Sequence, residues 1–242
     1  MTLYGDLDVS VIDELPPGRK EIKTLWKSDS SRLNIIRFMH EQIKEGRQVY
    51  IVFPLIDESA KLDYKNLIEG FDSIVREFPL PDFQVSVVHG QMKSSDKEYE
   101  MQRFVEGKTD ILVATTVIEV GVNVPNASVM VIESAERFGL SQLHQLRGRV
   151  GRGANQSYCV LMSGHKVSAD GKTRLQTMVD TNDGFKLAEV DLKLRGPGDM
   201  MGTKQSGLLN FKIADLIKDN KILILSLIHI SEPTRPERIA YA

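Results

Sequence analysis

The sequence VYIVFP, at residues 49–54, is a continuous apolar run of strand length. Such a run is typical of a strand that is buried on both faces of a parallel sheet. Before it, apolar residues recur at helical spacing over residues 31–45, and Gly46 ends the predicted helix. The residues of this apolar face are Leu33, Ile36, Met39 and Ile43. After it, residues 62–78 predict a second helix with a charged outer face, so the order of elements indicates a layered α/β fold.

The alternation of strands and helices continues along most of the chain. Ser95 and Glu98 form a predicted capping box for a helix that ends near Gly107. A short helix precedes the last predicted strand. The further strands are predicted at residues 85–88, 111–114, 129–132 and 158–161. We therefore predict an open parallel sheet with helices on both faces and with ligands at the carboxyl ends of its strands.

Composition limits the class of protein. The chain has 242 residues, 41% of them hydrophobic, which is enough to bury a sizeable core. A net charge of −2 excludes a global basic field, so any contact with nucleic acid depends on local patches. The single cysteine, Cys159, lies in the apolar segment SYCVLM and is predicted to be a buried core thiol. Because we find neither a signal peptide nor a membrane-spanning stretch, we expect a cytoplasmic protein with no membrane partner.

Three arginines lie among glycines in the segment QLHQLRGRVGRG, residues 142–153. Gln145, Gly148, Arg149, Gly151 and Arg152 fit the pattern QxxGRxGR. Glycines let a backbone approach a ligand closely, and a guanidinium presents a fork of donors to phosphate oxygens. A single arginine is usually a solvated surface residue. Three in this arrangement predict a phosphate-binding cluster.

Polar residues follow three of the predicted strands. His89 follows the strand at 85–88, Thr115 and Thr116 follow the next strand, and Glu133 follows the strand after that. Each has a structural alternative, since His89 can cap a strand and Thr115 can bond its own turn. As a set they predict part of a binding pocket, because pockets draw on several loops at one edge of a parallel sheet.

ATP hydrolysis in the phosphate-loop enzymes requires a GxxxxGK[ST] loop and an acidic metal-binding motif. Neither pattern occurs in this sequence. The glycine-rich segment GPGDMMG, residues 196–202, contains a proline and has the wrong spacing for a dinucleotide fingerprint. We therefore predict that these 242 residues alone neither hydrolyse ATP nor hold a metal ion.

The QxxGRxGR pattern resembles motif VI of the superfamily-two helicases and translocases. The longer segment ATTVIEVGVNVPNASVMVIESAERFGLSQLHQLRGRVGRG, residues 114–153, resembles motifs V and VI of the RecG family of bacterial branched-DNA helicases. TLYGDLDVSVIDELPPGR, residues 2–19, resembles the stretch after that family's motif III, and VHGQM, residues 88–92, its motif between IV and V. TNDGFKLAEVDLKLRGPGDMMGTKQSG, residues 181–207, resembles the translocation motif that RecG shares with the transcription-repair coupling factor. The resemblance extends to about residue 224.

This resemblance implies a RecA-like fold and the second motor domain of an ATP-dependent helicase. It implies that Arg152 is an arginine finger, that Arg149 contacts phosphate or couples the motor, and that Gln145 organises the domain interface. Gly121 and Asn123 are expected near the nucleotide; where many relatives have Asp, Asn123 offers ribose an amide instead of a carboxylate. ATP and Mg²⁺ are the implied cofactors, bound mainly by a first motor domain that this sequence lacks.

For DNA, the resemblance implies that His89, Thr115 and Thr116 contact the backbone or couple to it. Three further residues match those that connect a helical hairpin to a loop entering the DNA groove, namely Arg174, Arg195 and Gln205. The implied partners are branched double-stranded DNA, as in stalled forks and Holliday junctions, and the N-terminal part of the same protein. A monomer is expected.

Independently of the resemblance, residues 170–179 and 185–194 predict the two helices of a hairpin, followed by a flexible loop over 196–207. We predict four parts: a connector at 1–24, a second RecA-like domain at 25–165, a hairpin with translocation motif at 166–224, and a non-native tail at 225–242 that resembles translated adapter sequence. Two alternatives stay open. One is a transcription-repair coupling translocase, and the other is a nucleotide-free α/β module that binds only DNA or protein.

Overall fold

Six parallel strands form one sheet in the part of the chain that the structure describes. The structure is a computed structural model that describes residues 20–55, 60–115, 124–153 and 155–199, and of residues 60–66 and 195–199 only the backbone. The strands are β1 (Lys23–Ser28), β2 (Gln48–Phe53), β3 (Val85–Val88), β4 (Ile111–Thr115), β5 (Ala127–Ile132) and β6 (Tyr158–Ser163). Their order is β1-β6-β5-β2-β4-β3, and each neighbouring pair is parallel. The predicted RecA-like α/β class is confirmed.

Helices cover both faces of this sheet. They are α1 (Arg32–Lys44), α2 (Ala60–Glu77), α3 (Ser94–Val105), α4 (Leu140–Arg147), α5 (Ala169–Asp180) and α6 (Gly184–Asp199). On one face Met39 of α1, Leu67 of α2 and Phe78, which directly follows α2, are buried against the strands. On the other face α3, α4, α5 and α6 bury apolar side chains that include Phe104, Leu143, Leu175 and Leu187. Because both faces are covered, the central strands β2, β4 and β5 are apolar along almost their whole length, as VYIVFP indicated.

Strand β1 was not predicted. Residues 1–24 were expected to be a connector, yet Lys23 and Thr24 already pair with β6. The sequence of β1, KTLWKS, has no apolar run, because its residues alternate between buried and exposed positions. In the described chain β1 lies at the edge of the sheet, and its alternate side chains at positions 23, 25 and 27 are exposed on one face, so the sequence signal is weak.

Two local predictions are corrected. Leu33 was assigned to the buried face of α1 but is 72% exposed, while Ile35 takes the buried position one turn before Met39. Ser95 and Glu98 do not cap α3, because that helix begins at Ser94 with Lys93 as a cap residue that makes no side-chain bond. The hydroxyl of Ser95 instead donates to the Oδ1 atom of Asp96. Side-chain bonds of this kind compete with caps, so the motif alone did not decide the boundary.

The hairpin helices were predicted close to their observed limits, but α6 is longer than expected. It continues to Asp199, so residues 196–199 are helical although they were predicted to begin a flexible loop. Local glycine and proline content is a weak predictor where tertiary packing supports a helix, and Leu187 and Val190 of α6 pack into the core. The remainder of the predicted loop, residues 200–207, lies outside the described residues.

The described residues 20–194 belong to one compact unit. This unit contains the sheet and α5, and Leu175 and Met178 of α5 belong to the same buried cluster as the strands. The predicted domain limits at residues 24, 165 and 224 stay predictions. Across the described ranges, no helix is long and apolar enough to cross a membrane.

Candidate functional site

The segment that follows α4 forms a loop at the amino-terminal edge of the sheet. We call residues 148–153 the arginine loop. A Cβ atom on Gly153 would lie 2.5 Å from the carbonyl oxygen of Pro125, which precedes β5. A Cβ atom on Gly151 would lie 2.9 Å from the Cγ1 atom of Ile22, which precedes β1. The loop is therefore clamped against the starts of two strands.

These contacts explain Gly151, which belongs to the QxxGRxGR pattern, and Gly153, which directly follows it. Gly151 has a φ of +79°, in the left-handed region that glycine adopts without steric cost. Gly153 is held so close to a carbonyl oxygen that no side chain fits. Gly148, in contrast, ends α4 with an ordinary helical φ of −67° and has room for a Cβ atom. Gly151 and Gly153 thus allow the loop to pack closely against residues of this same chain, whereas the pattern alone had suggested that they allow a close approach to a ligand.

Arg149 and Arg152 are half-buried on this loop, and neither forms an ion pair with a carboxylate of the described residues. The Nε atom of Arg152 is buried and finds no hydrogen-bond acceptor within the described ranges. An unsatisfied buried donor costs on the order of 1–3 kcal/mol. Such a donor suits an anionic ligand that supplies the missing acceptor, and phosphate oxygens match a guanidinium fork.

Tyr50 of β2 is close enough to these two arginines for their charges to act on its hydroxyl. Burial raises the pKa of its hydroxyl to about 12, although the positive charges of Arg152 and Arg149 act in the opposite direction. The phenol is therefore neutral at physiological pH and neutralises neither guanidinium. Sequence analysis did not identify Tyr50, because a tyrosine inside an apolar strand gives no signal beyond core packing. Gln145, predicted to organise the interface, lies exposed on α4, one turn before the arginine loop.

Arg147 does not belong with the other two arginines, so the predicted cluster of three is wrong at this position. Its side chain is 2% exposed and points into the protein. The Nη1 atom donates to the carbonyl oxygens of Met178 and Thr181, each at 2.9 Å. The Nη2 atom lies 3.0 Å from the Nδ1 atom of His144. The donors of this guanidinium are thus occupied by hydrogen bonds to the end of α5 and to His144 of α4.

The carboxyl-terminal edge of the sheet holds a second group of candidate residues. Thr115 ends β4 and is buried, and its Oγ1 atom has no hydrogen-bond partner in the described part of the chain. His89 directly follows β3 and is half-buried. Burial and, to a smaller extent, the charge of Lys97 lower the pKa of His89, so its imidazole is neutral at pH 7. Both residues were expected at this edge, and the structure brings them there.

Glu133 follows β5 at the same edge, where Arg32 binds it. The Nη1 and Nη2 atoms of Arg32 lie 2.7 Å and 2.8 Å from the two carboxylate oxygens. This bidentate pair raises the pKa of Arg32 further above its usual value. Arg32 was not singled out from the sequence because it is 101 residues away from its partner and lies in no motif. The pair fixes the start of α1 against the end of β5.

Arg174 of α5 contacts the turn that follows β5. Its Nη2 atom donates to the carbonyl oxygen of Glu136 at 3.0 Å. The Nε atom of Arg174 and the Oε2 atom of Glu136 are both buried without a hydrogen-bond partner among the described residues. For Arg195 only the backbone position in α6 is described. The remaining predicted site residues lie outside the described residues, namely Thr116, Gly121, Asn123 and Gln205.

The described residues contain no group of three or more His, Cys, Asp or Glu side chains that could hold a metal ion. The candidate residues therefore form two separate sets. Arg149 and Arg152 lie at the amino-terminal edge of the sheet, while His89, Thr115 and Glu133 lie at its carboxyl-terminal edge. The first set suits a phosphate, and the second provides polar groups with which another ligand can bond.

Two family models match parts of this chain. Residues 31–154 match the family model of the helicase conserved C-terminal domain. Residues 181–231 match the model of ATP-dependent DNA helicase RecG, domain 3, C-terminal. The second match runs past residue 224, where the predicted tail begins.

Among curated proteins, the chain is 53% identical over 226 residues to the ATP-dependent DNA helicase RecG of Synechocystis sp.. It is 52% identical over 223 residues to the corresponding helicase of Bacillus subtilis. These alignments cover 93% and 92% of this chain but only 27% and 32% of the relatives. The chain thus spans about a third or less of the length of these relatives.

Among solved structures, the chain is similar to RecG bound to a three-way DNA junction. The two share 47% sequence identity with a TM-score of 0.70, over 91% of this chain and 28% of the other.

Proposed function

Because this chain belongs to the helicase conserved C-terminal domain family, in its RecG branch, we propose that it is the second motor domain of an ATP-dependent DNA helicase that remodels branched DNA. The observation that carries this proposal is sequence identity of about one half over more than nine-tenths of the chain. The match of residues 181–231 to a RecG domain favours this helicase over a transcription-repair coupling translocase. The same match includes α6, which supports a helicase over an unrelated binding module.

The geometry of the arginine loop supports a role at ATP. Arg152 offers a buried, unsatisfied N–H group, and Arg149 lies on the same loop without a carboxylate partner in the described chain. When ATP is bound, its phosphates carry the negative charge that these guanidiniums match. Arg152 would stabilise the charge that spreads over the transferred phosphoryl group, a contribution of about 10³ to 10⁵ in rate for arginine fingers.

The described residues do not fit a Mg²⁺ site, because they offer no cluster of carboxylates. The sequence also lacks a GxxxxGK[ST] loop. We therefore assign the metal ion and most contacts to ATP to a different part of the whole protein, and Arg152 completes the site from this domain. Gly121 and Asn123 remain proposed contacts of the nucleotide.

At the opposite edge, His89, Thr115 and Thr116 are proposed to face the DNA backbone. Thr115 supplies a hydroxyl with no partner in the described chain, and neutral His89 can donate or accept a hydrogen bond. Most protein–DNA hydrogen bonds go to phosphate and sugar, so these residue types suit a translocase that does not read sequence. Branched double-stranded DNA is the proposed substrate, in a monomeric cytoplasmic enzyme.

Movement of the motor would reach the DNA through the hairpin. Arg174 joins α5 to the turn after β5, and Arg195 and Gln205 lie further along the same segment. We propose that these three residues couple nucleotide-driven domain closure to a loop in the DNA groove.

A chimera tests the proposed function directly. In this chimera the present chain replaces the region of the Bacillus subtilis RecG that it matches, which is 52% identical. We expect ATP hydrolysis that is stimulated by junction DNA and unwinding of a three-way junction. The chain by itself should release no phosphate with or without DNA. A folded chimera that binds junction DNA but neither hydrolyses ATP nor unwinds the junction would contradict the proposal.

A further inference from the structure

Arg147 connects three elements of the fold through one buried guanidinium. It is the last residue of α4, and it contacts the carbonyl oxygens of Met178 and Thr181 at the end of α5. It also lies 3.4 Å from the hydroxyl of Thr24 in β1. The last carbonyls of a helix have no partner within that helix, and a cation at this end is favoured by the helix dipole. Arg147 therefore caps α5 from a neighbouring helix.

His144 extends this contact to the second helix of the hairpin. Since a guanidinium has donors only, the Nδ1 atom of His144 must accept the hydrogen bond from Arg147, and the imidazole proton lies on Nε2. That Nε2 atom is so close to Gly184, the first residue of α6, that a Cβ atom there would approach it to 3.0 Å. One face of α4 thus contacts the end of α5 and the start of α6.

A simple packing role does not explain an arginine at this position. Burial disfavours the charge, and desolvation lowers the pKa of Arg147 although the group stays protonated. A well-packed apolar side chain is often at least as stabilising as a buried charge. A guanidinium forms directional hydrogen bonds, which an apolar side chain cannot. Its planar fork fixes the positions of the carbonyl oxygens of Met178 and Thr181 relative to α4.

The position of Arg147 in the chain gives this geometry a consequence. Arg149 and Arg152 follow it within five residues on the arginine loop, while α5 and α6 lead into the translocation motif. We propose that Arg147 is a positioning residue that makes α4 and the α5–α6 hairpin move as one rigid body. A displacement of the arginine loop then displaces the hairpin by the same amount. The rigid link between α4 and the hairpin does not depend on the proposed function. Only its role in carrying motor movement to DNA rests on that function.

The rigid link can be tested in the 242-residue chain without any enzymatic activity. Spin labels on cysteines introduced at the exposed positions Ser141 of α4 and Lys172 of α5 report the distance between the helices. Native Cys159 is fully buried and should not be labelled in the folded protein. We expect a narrow distance distribution for the wild type and a clearly broader one for Arg147→Met. The control Arg137→Met removes an exposed arginine and should leave the distribution narrow.

A second variant covers the case in which Arg147→Met does not fold. Arg147→Lys keeps the positive charge but lacks the fork, so it should fold and still broaden the distance distribution. A distribution as narrow as that of the wild type in the folded variants would overturn the inference.

The chimera separates transmission from a general loss of structure. Arg147→Met should retain DNA-stimulated ATP hydrolysis within about twofold and lose at least about tenfold in junction unwinding, because it uncouples the hairpin and leaves the arginine loop in place. An equal loss of both activities would overturn the inference. If the unmutated chimera has neither activity, the proposed function fails, whereas the distance measurement still decides whether Arg147 forms the link.

Discussion

The two edges of the sheet hold their candidate side chains in different ways. At the amino-terminal edge the arginine loop is clamped by close backbone contacts, with Gly153 against Pro125 and Gly151 against Ile22. At the carboxyl-terminal edge the candidate side chains continue from the strand ends, and the Arg32–Glu133 pair restrains one of them. The proposed arginine finger requires a fixed loop, whereas the proposed contacts to a DNA backbone require only side chains at the ends of regular strands.

The comparison also separates closeness in sequence from closeness in space. Arg147 and Arg149 are two residues apart, yet one is buried against α5 and the other lies on the loop. His89 and Thr115 are far apart in sequence, yet the parallel pairing of β3 with β4 brings their strand ends to one edge. A motif therefore defines a segment, and the sheet decides which of its side chains act together.

The largest effect is expected at the amino-terminal edge. In the chimera, Arg152→Ala should lower DNA-stimulated ATP hydrolysis by about 10³-fold or more, because it removes charge stabilisation at the transferring phosphoryl group. Steady-state phosphate release at saturating junction DNA measures this change. Arg137→Ala, which removes an exposed arginine outside the loop, is the control and should hydrolyse ATP normally. Equal rates for Arg152→Ala and this control would exclude Arg152 from the nucleotide site.

The clamp on the arginine loop predicts the next largest effect. Gly153→Ala places a Cβ atom 2.5 Å from a backbone carbonyl oxygen, and such overpacking costs about 1–3 kcal/mol of unfolding free energy. Gly148→Ala is the matched control, since its Cβ atom meets nothing nearer than 3.5 Å and its φ is helical. Denaturant unfolding of the 242-residue chain measures both. If both variants are equally stable, the loop is not clamped against Pro125.

Much of the fold was predictable because buried strands carry their own signal. VYIVFP gave β2, and the runs at β4 and β5 were as clear, since strands covered on both faces must be apolar throughout. Strand β1 was missed because it is covered on one side only. At the candidate site, the motif located Arg149 and Arg152, but nothing in it distinguishes them from Arg147. That distinction depends on carbonyl oxygens of α5 about thirty residues later, which a local pattern cannot encode.

A smaller effect is expected for the ion pair at the carboxyl-terminal edge. Arg32→Met leaves the buried carboxylate of Glu133 without its bidentate partner, and we expect a loss of about 1–2 kcal/mol, between the values typical of exposed and buried pairs. Lys193→Met breaks the exposed pair with Glu189 and should change stability by less than about 0.5 kcal/mol. Thermal unfolding of both variants gives the comparison. A loss in Arg32→Met no greater than in Lys193→Met would mean that the pair does not fix the edge.

The smallest effect concerns pH and again contrasts the two edges. Burial and the adjacent charge of Arg147 lower the pKa of His144, while Asp183 acts weakly in the opposite direction. Protonation would also place two cations 3.0 Å apart and remove the acceptor at Nδ1.

A histidine whose pKa is lower in the folded state binds its proton more readily when unfolded. Its contribution to stability is therefore present above the unfolded pKa of about 6.5 and is lost as the pH falls below that value. We therefore expect the wild-type chain to lose more stability between about pH 7 and pH 5 than His144→Gln, which keeps an acceptor for Arg147. His89→Gln removes a histidine at the more open carboxyl-terminal edge, whose pKa is also lowered, and should reduce the pH dependence less. Unfolding free energies measured across this range test the order, and a pH slope in His144→Gln equal to that of the wild type would show that His144 is not held neutral beside Arg147.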